Sequence, residues 1–306
     1  MKRKLMILLA VLLAAVLVPG LAGIAESAGE AEKQDGSLLF QGLSISPDTE
    51  ILDFDEKGIQ VTDAKALAEV LDRLPSLKEV RLFDSPMDTE SMEWLFDRYY
   101  SDVFFGFTIQ IGPHVIRTDQ TAFSTMHHSS ETKEDKFHTD EDMYPIRMCT
   151  RMKALDLGHN KLTNVNFLNW MPEIEVLIIT PNRALTDISP VANCKNLVYL
   201  EAFNIPIPDL QALAGCTKLR DLNITRDGQI TDLSPLYDLP CLERVWWGGM
   251  KQTKELTAQK REMREKHPNC KFVSVYDPTS GGWRSHIRFR EMRASFDAGE
   301  YTPFSK

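Results

Sequence analysis

The feature that most constrains this chain is an apolar phrase that returns at a nearly constant step over residues 152–247. Its first copy, formed by Met152, Leu155 and Leu157, has the spacing apolar-x-x-apolar-x-apolar. Later copies begin at Ile174, Leu197, Leu219 and Leu242. The steps of 22 or 23 residues fall in the range of solenoids in which every repeat forms one coil. We therefore predict four complete coils and the start of a fifth within residues 146–250.

Residues 49–126 repeat on a longer step, which indicates coils that carry a full helix on their convex side. Strand cores are expected at Leu52, at Val80 and over residues 105–111, and helices over residues 64–74 and 92–100. We expect residues 118–121 to form a turn and a helix cap. The two halves are predicted to be one continuous solenoid that changes repeat type near residue 145.

The N-terminal end differs in composition from the repeats. Basic residues 2–4 precede an uninterrupted apolar run of 14 residues, Leu5 to Val18. This run is too short to span a bilayer as a helix but suits the core of a signal peptide. Residues 1–25 are therefore predicted to be an export signal, with an uncleaved membrane anchor as the alternative, and residues 26–48 a linker and lead-in.

Residues 251–306 are predicted to cap the solenoid, because its last coil would otherwise expose apolar edges. Residues 255–267 have the pattern of a charged helix, and residues 270–276 alternate like a final strand. Four apolar residues beyond them are expected to pack on the end of the core: Trp283, Phe289, Met292 and Phe296.

Charge and motifs narrow the possible functions. Without the signal the formal charge changes from −9 to about −12, which argues against nucleic acid or an anionic membrane as the main partner. The sequence contains no G-x-S-x-G, no H-E-x-x-H, no phosphate-binding glycine loop and no dinucleotide fingerprint. His159 next to Asp156 could act as an acid–base pair, but we favour a structural loop residue. We expect neither an enzyme nor a cofactor.

Residues 127–145 are predicted to be a polar connecting loop. Within residues 127–142, three histidines and six carboxylates invite a metal-site hypothesis. No pair among them has the spacing of a preformed site, and the stretch has almost no apolar anchor. A solvated loop without metal is therefore favoured, and an enzyme built on this loop is the least favoured function.

Three cysteines share one slot of the repeat. Cys149, Cys194 and Cys216 each lie three residues before the first apolar residue of a coil, where Met171 and Leu239 stand in other coils. A slot that accepts methionine and leucine is apolar, so buried free thiols are predicted. Cys194 and Cys216 are one coil apart and could also reach the Cα separation of a disulfide, which leaves that bridge open.

An asparagine ladder is expected beside the strands. Asn160 and Asn182 occupy the position at which repeats of this kind bury an asparagine, whose amide can satisfy backbone groups of adjacent coils. The next two units have Ile205 and Asp227 there, so the ladder is expected to weaken toward the C-terminus.

These motifs resemble a known family. Residues 155–162, 185–191 and 230–236 are similar to the internalin-type, or SDS22-like, class of leucine-rich repeats, and the longer N-terminal units resemble ribonuclease-inhibitor-like repeats. The whole arrangement is similar to secreted repeat proteins of Gram-positive gut bacteria. The resemblance implies an α/β solenoid, a leucine-rich repeat horseshoe with a parallel concave β-sheet, a helical or 3-10 convex side and a C-terminal cap. It also implies protein or peptide binding on the concave strands.

Side-chain alternation predicts which residues face outward from the concave strands. Several are aromatic or apolar, and Tyr, Trp and Arg are the types that dominate interface hot spots. We predict that the partner contacts Asp156, Ile178, Tyr199, Glu201, Phe203, Asp221, Asn223, Arg244 and Trp246. The alternative is that a terminal segment of the same chain partly covers this face.

The sequence thus predicts a secreted or extracytoplasmic, non-enzymatic protein that binds a protein or peptide through its concave face. The five strands alone offer about 240 Å², whereas a standard interface takes about 800 Å² from each partner. A tight partner must therefore also touch the N-terminal strands or the loops at their ends. A structural or self-association module is the first alternative.

Overall fold

The computed structural model describes residues 36–126 and 137–305, which contain a two-stranded hairpin and two larger β-sheets. An antiparallel hairpin of β1 (Leu38–Phe40) and β2 (Leu43–Ile45) precedes them. The first sheet contains β3 (Ile51–Asp53), β4 (Glu79–Leu82), β5 (Phe104–Ile111) and β6 (His114–Arg117). Strands β3, β4 and β5 are parallel, while β6 returns antiparallel to β5.

The convex side of this sheet carries α1 (Ala64–Leu71) and α2 (Thr89–Tyr99), which confirms the two predicted helices. Asp63 caps α1 by accepting hydrogen bonds from the backbone N–H groups of Lys65 and Ala66. Asp88 caps α2 in the same way through the N–H of Ser91. These side chains satisfy donors that a helix start leaves unpaired.

The second sheet has seven strands, and every neighbouring pair is parallel. They are β7 (Ala122–Ser124), β8 (Ala154–Asp156), β9 (Val176–Ile178), β10 (Tyr199–Glu201), β11 (Asp221–Asn223), β12 (Arg244–Trp246) and β13 (Lys271–Val273). Short 3-10 helices form the convex side at Tyr144–Met148, Asn166–Trp170, Ser189–Asn193, Gln211–Leu213 and Ser234–Leu236. The chain is an α/β solenoid, as the repeat period predicted.

The two predicted halves do not form one continuous sheet. The β5–β6 hairpin ends the first sheet, and the second sheet begins at Ala122. The first 3-10 helix of the convex side, Tyr144–Met148, lies close to residue 145. The helix cap expected at residues 118–121 was wrong, although residues 118 and 119 do form a turn. The Thr118 hydroxyl is buried, donates to the Phe105 carbonyl (2.6 Å) and accepts from the Phe107 N–H (2.8 Å), so this segment is bound to β5.

The C-terminal region contains α4 (Lys254–Lys266), β13 and α5 (Ile287–Ala298). The charged helix and the final strand are confirmed, and α4 buries Leu256 and Met263 on the last coil. A short helix α3 (Asp140–Met143), capped by Thr139, leads into the first short coil. None of the helices in residues 36–126 and 137–305 is both long and apolar enough to cross a membrane.

The asparagine ladder is present as predicted. Asn160 accepts from the His138 N–H (3.0 Å), and its amide donates to the Leu157 carbonyl (3.1 Å). Asn182 accepts from the Leu162 N–H (3.0 Å) and donates to the carbonyls of Leu157 (2.9 Å) and Ile179 (2.8 Å). These bonds tie each coil to the preceding one.

The five cysteines are free thiols, and the three in the shared slot are fully buried. The Cys216 thiol lies 3.8 Å from the Cys194 carbonyl oxygen, so the two residues are in contact without a disulfide. Burial raises the pKa of Cys194 to about 12, which keeps it protonated. The slot is therefore an apolar core position, as the sequence predicted.

Candidate functional site: the concave face and its cover

Nine predicted contact residues lie on or next to five adjacent strands of the second sheet, and we call them the concave face. The set is Asp156, Ile178, Tyr199, Glu201, Phe203, Asp221, Asn223, Arg244 and Trp246. Parallel pairing aligns Asp156, Ile178, Glu201, Asn223 and Trp246 in one row across the sheet. The structure therefore brings these residues together as the alternation predicted.

The concave face is not exposed. Each of its nine residues is at most 7% accessible, and Tyr199 and Trp246 are fully buried. Residues 283–304, which include α5, lie against it, and we call this segment the cover. The prediction that Trp283, Phe289, Met292 and Phe296 pack on the end of the solenoid core was wrong. Trp283, Met292 and Phe296 form a separate apolar cluster with concave-face residues, and Phe289 packs against that cluster.

Trp283 is the central aromatic contact of the cover. Its ring lies between Tyr199 and Trp246, with centroid distances of 5.2 and 5.0 Å. Its indole Nε1 donates to Glu201 Oε1 (2.7 Å). Trp246 in turn donates from Nε1 to the Ser280 carbonyl (3.1 Å). Both indole N–H groups are therefore satisfied within the buried contact.

Charged and polar contacts continue along the cover. Arg288 donates from Nη1 to Asp221 Oδ1 (2.9 Å) and from Nη2 to Glu243. Near the chain end, the Tyr301 hydroxyl donates to Glu175 Oε2 (3.1 Å). Arg288 is 3% accessible although it belongs to a surface helix. The cover is thus held by ion pairs and hydrogen bonds as well as by apolar packing.

The sequence interpretation did not identify Arg288 and Tyr301 as functional candidates. A usable signal was present, because Arg288, Met292 and Phe296 follow one another at steps of four, which places them on one face of a helix. The excess of aromatic residues on the predicted strands was a second signal. Together they indicate that an amphipathic segment of this chain fits the concave face.

The concave face is acidic and desolvated. Burial raises the pKa of Asp156 to about 6, against the opposing hydrogen bond from the Gly158 N–H. Burial likewise raises the pKa of Glu201, although Tyr199 and Trp283 both donate to it. A cavity of about 120 Å³ remains between face and cover, lined by Asp156, His159 and Glu201 and, on the cover side, by Arg284 and Arg293 among others.

Arg244 shows that the buried contact is imperfectly satisfied. Its Nε donates to Asp221 Oδ1 (2.7 Å), and its guanidinium lies 4.7 Å from the Trp283 ring centroid. Among the described residues, its Nη1 and Nη2 find no acceptor. An unsatisfied buried donor costs about 1–3 kcal/mol, so closure of the cover carries an energetic penalty here.

The concave side of the first sheet is open, and we call its lining around Asp53, Glu79, Arg81, Phe83, Phe104, Arg117 and Arg151 the open surface. Arg81 donates to Asp53 (2.9 Å) and to Glu79 (2.7 Å), and Arg151 donates to Glu79 (2.6 Å). A cavity of about 450 Å³ adjoins these groups.

Two arginines of the open surface stack on aromatic rings. The Arg117 and Arg151 guanidinium carbons lie 3.6 and 3.5 Å from the ring centroids of Phe83 and Phe104. Ile51, at the strand beside them, is 53% accessible. Arginine is among the residue types enriched at binding hot spots, and two arginines and an exposed aliphatic side chain are available on this surface.

The metal and acid–base candidates of the sequence lie partly within the described part of the chain. Residues 36–126 and 137–305 hold no group of three or more potential ligands arranged for a metal, and residues 127–136 of the predicted loop lie outside them. His138 is not solvated but buried against His114, with ring centroids 5.3 Å apart. Asp156 accepts from Gly158 and Ser124, which supports the structural interpretation of the His159 loop.

Comparison with solved structures gives matches to leucine-rich repeat proteins. Internalin C2 of Listeria monocytogenes is 23% identical over 64% of this chain and 72% of its own, with a TM-score of 0.32. An internalin F of that species is 18% identical over 81% and 72%, with a TM-score of 0.36. The ectodomain of the Arabidopsis thaliana receptor kinase GASSHO1/SCHENGEN3, solved with Casparian strip integrity factor 2, is 12% identical over 66% and 21%, with a TM-score of 0.35.

The fold is that of leucine-rich repeat proteins. This statement rests on the seven parallel strands, the 22- to 23-residue coils and the asparagine ladder. No family model matches the sequence, and no curated protein matches it.

Proposed function

We propose that this protein is exported and binds a protein or peptide partner through the concave side of its solenoid, without catalysing a reaction. One observation carries the proposal. The concave face already holds a segment outside the repeats through Trp283, Arg288 and Tyr301, which is the chemistry of a peptide complex. The nine residues of the concave face remain the proposed contact residues.

The open surface is the proposed first contact for the partner. It is accessible with the cover in place, and it extends the concave side beyond the five short strands. Those strands alone supply about 240 Å², well below the 800 Å² of a standard interface. A partner that engages both regions would reach a sufficient contact area.

The proposal is tested by selecting a random peptide display library on the immobilised full chain. We expect enriched peptides that lose most of their binding, about tenfold or more, to the double variant Ile51→Asp/Arg81→Ala. Both side chains are partly or largely exposed, so the fold should survive. Arg261→Ala, on the exposed side of α4, is the matched control and should bind like the wild type.

Absence of any enriched peptide would contradict peptide recognition. Peptides that bind the double variant as well as the wild type would contradict the assignment of the open surface.

A further inference from the structure

We propose that the cover is a built-in, detachable ligand of the concave face, and that the external partner is a basic amphipathic helix that takes its place. This inference rests on the proposed function and specifies its partner class. The cover would then keep the concave face closed until a competing helix binds.

The cover packs on the solenoid without being part of its main core. Trp283, Met292, Phe296 and Tyr301 cluster with outward-facing residues of the strands. The leucines, isoleucines and valines inside the coils form a different cluster on the other side of the sheet. Detachment of the cover would therefore expose the concave face while the asparagine ladder and the coil interior stay packed.

Charge complementarity defines the kind of helix that fits. The face and its margin present five carboxylates, from Asp156, Glu175, Glu201, Asp221 and Glu243. Two arginines of the solenoid accompany them, Arg244 paired with Asp221 and Arg220 paired with Glu243, so carboxylates remain in excess. The cover carries four arginines against three acidic residues. Arg288 is buried between Asp221 and Glu243, and Arg284 and Arg293 line the small cavity near Asp156 and Glu201. A competing helix must therefore bring basic side chains to an acidic, desolvated sheet.

The spacing of the cover's anchors gives the competing helix its pattern. Arg288, Met292 and Phe296 lie on one helical face at steps of four, and Trp283 stands five residues before Arg288. A helix that presents an arginine followed by two apolar residues at these steps, with an aromatic residue just before it, reproduces the same contacts. This is recognition of an amphipathic helix by its apolar face.

Unsatisfied groups under the cover favour exchange. The Arg244 Nη1 and Nη2 donors and the Asp221 Oδ2 acceptor have no hydrogen-bond partner among the described residues. When the cover opens, water can hydrogen-bond to these groups. This hydration offsets part of the free energy lost with the packing contacts. A better-matched external helix could satisfy them and so compete with the tethered cover.

The connection to the last strand allows the cover to swing away. Gly281 and Gly282 have φ angles of +67° and +96°, in the region that favours glycine. They lie between β13 and the cover and directly precede Trp283. A two-glycine joint of this kind permits large backbone rotations with little steric cost.

The test measures binding of a fluorescein-labelled peptide with the sequence of residues 277–305 to full-length proteins by fluorescence anisotropy. In the wild type the tethered cover competes, so apparent binding should be weak. The variant Trp283→Ala weakens the cover, and we expect it to bind the peptide about tenfold or more tightly than the wild type. Trp94→Ala, at an exposed position of α2, should behave like the wild type.

Two further measurements keep the result interpretable. A peptide carrying Arg288→Glu should not bind Trp283→Ala measurably, because the glutamate would face Asp221 and Glu243. Hydrogen exchange of Trp283→Ala should be faster in α5 and unchanged in α2, which verifies that only the cover has opened. If Trp283→Ala does not fold, Arg288→Ala replaces it.

Equal peptide binding by the wild type and by a variant with a fast-exchanging α5 would overturn the inference. Display-selected peptides that still required Ile51 and Arg81 would then leave the proposed function standing.

Conversely, tight peptide binding by Trp283→Ala with no display-selected partner would support the detachable ligand and contradict the proposed function. Selected peptides that are acidic, or that do not compete with the labelled peptide, would overturn the assigned partner class.

Discussion

At the scale of single residues, Asp227 occupies the slot that asparagine fills in the earlier coils. It is fully buried, and its Oδ1 accepts from the Ile205 N–H (3.0 Å). Its Oδ2 has no hydrogen-bond partner among the described residues, whereas the Asn182 amide donates to two carbonyls. Burial raises the pKa of Asp227 well above its ordinary value of 3.8. The expected weakening of the ladder in the C-terminal coils thus has a specific cause, a carboxyl group that cannot donate when it is ionised.

We predict that Asp227→Asn stabilises the protein by about 1–2 kcal/mol at pH 7. Because the folded-state pKa is raised, the contribution of Asp227 is fully present below pH 3.8 and is lost as the pH rises through the folded pKa. The gain in the variant should therefore be larger at pH 7 than at pH 4. Urea unfolding at both pH values measures it.

The matched control for that measurement is Asp238→Asn, whose side chain is 96% exposed and should leave stability nearly unchanged. A variant Asp227→Asn that is less stable than the wild type at pH 7 would refute the explanation.

At the scale of secondary-structure elements, Gly248 allows the backbone after β12 to approach the backbone after β13 closely. A Cβ at Gly248 would lie 1.7 Å from the Val275 carbonyl oxygen and 2.3 Å from its carbonyl carbon, and neither backbone atom can move like a side chain. The close approach explains why no other residue fits.

Gly248→Ala should destabilise the protein by about 2 kcal/mol or more, because the overlap forces a shift of the backbone at the last coil. Gly228→Ala is the matched control, since a Cβ there would meet no atom within 4 Å. Thermal unfolding of both variants should lower the midpoint only for Gly248→Ala. Equal midpoints would show that the backbone near Val275 adapts without cost.

At the scale of the whole molecule, the contact between cover and concave face determines whether two copies of the protein can self-associate through this face. The cover is tethered through a short connection, which gives it an effective concentration in the millimolar range for its own face. A second copy at micromolar concentration cannot compete with that. Because the cover occupies the concave face, two copies of the protein should not dimerise through the concave-face residues.

We expect the wild type and Trp246→Ala to be monomers by size-exclusion chromatography with light scattering. Trp246→Ala should elute earlier at the same mass, because the loss of the Trp246–Trp283 contact loosens the cover. Trp94→Ala, which leaves the cover untouched, should elute like the wild type. A dimer formed only by Trp246→Ala would instead favour the self-association module, with covers exchanged between copies.

Much of the architecture follows from the sequence by itself. The sequence predicted the coil period, the strands, the helices α1, α2 and α4, the buried thiols and the asparagine ladder. Within the repeats, these features depend on residues one coil away, and the repeat period gives their spacing. For the same reason the alternation identified the row from Asp156 to Trp246 as one surface. Local periodicity is sufficient wherever each residue's environment is set by the adjacent coil.

Only the tertiary structure decided what lies on that surface. Trp283 meets Glu201 across 82 residues, and Arg288 meets Asp221 across 67, so no repeat period encodes either contact. The first sheet likewise ends because β6 returns antiparallel along the free edge of β5, next to a Thr118 hydroxyl that bonds to β5 instead of capping a helix. The sequence by itself determined a solenoid with a concave row of aromatic and charged residues. Packing across long sequence separations determined that this row is buried by the chain's own C-terminal segment, because an acidic apolar sheet and a basic amphipathic helix are complementary.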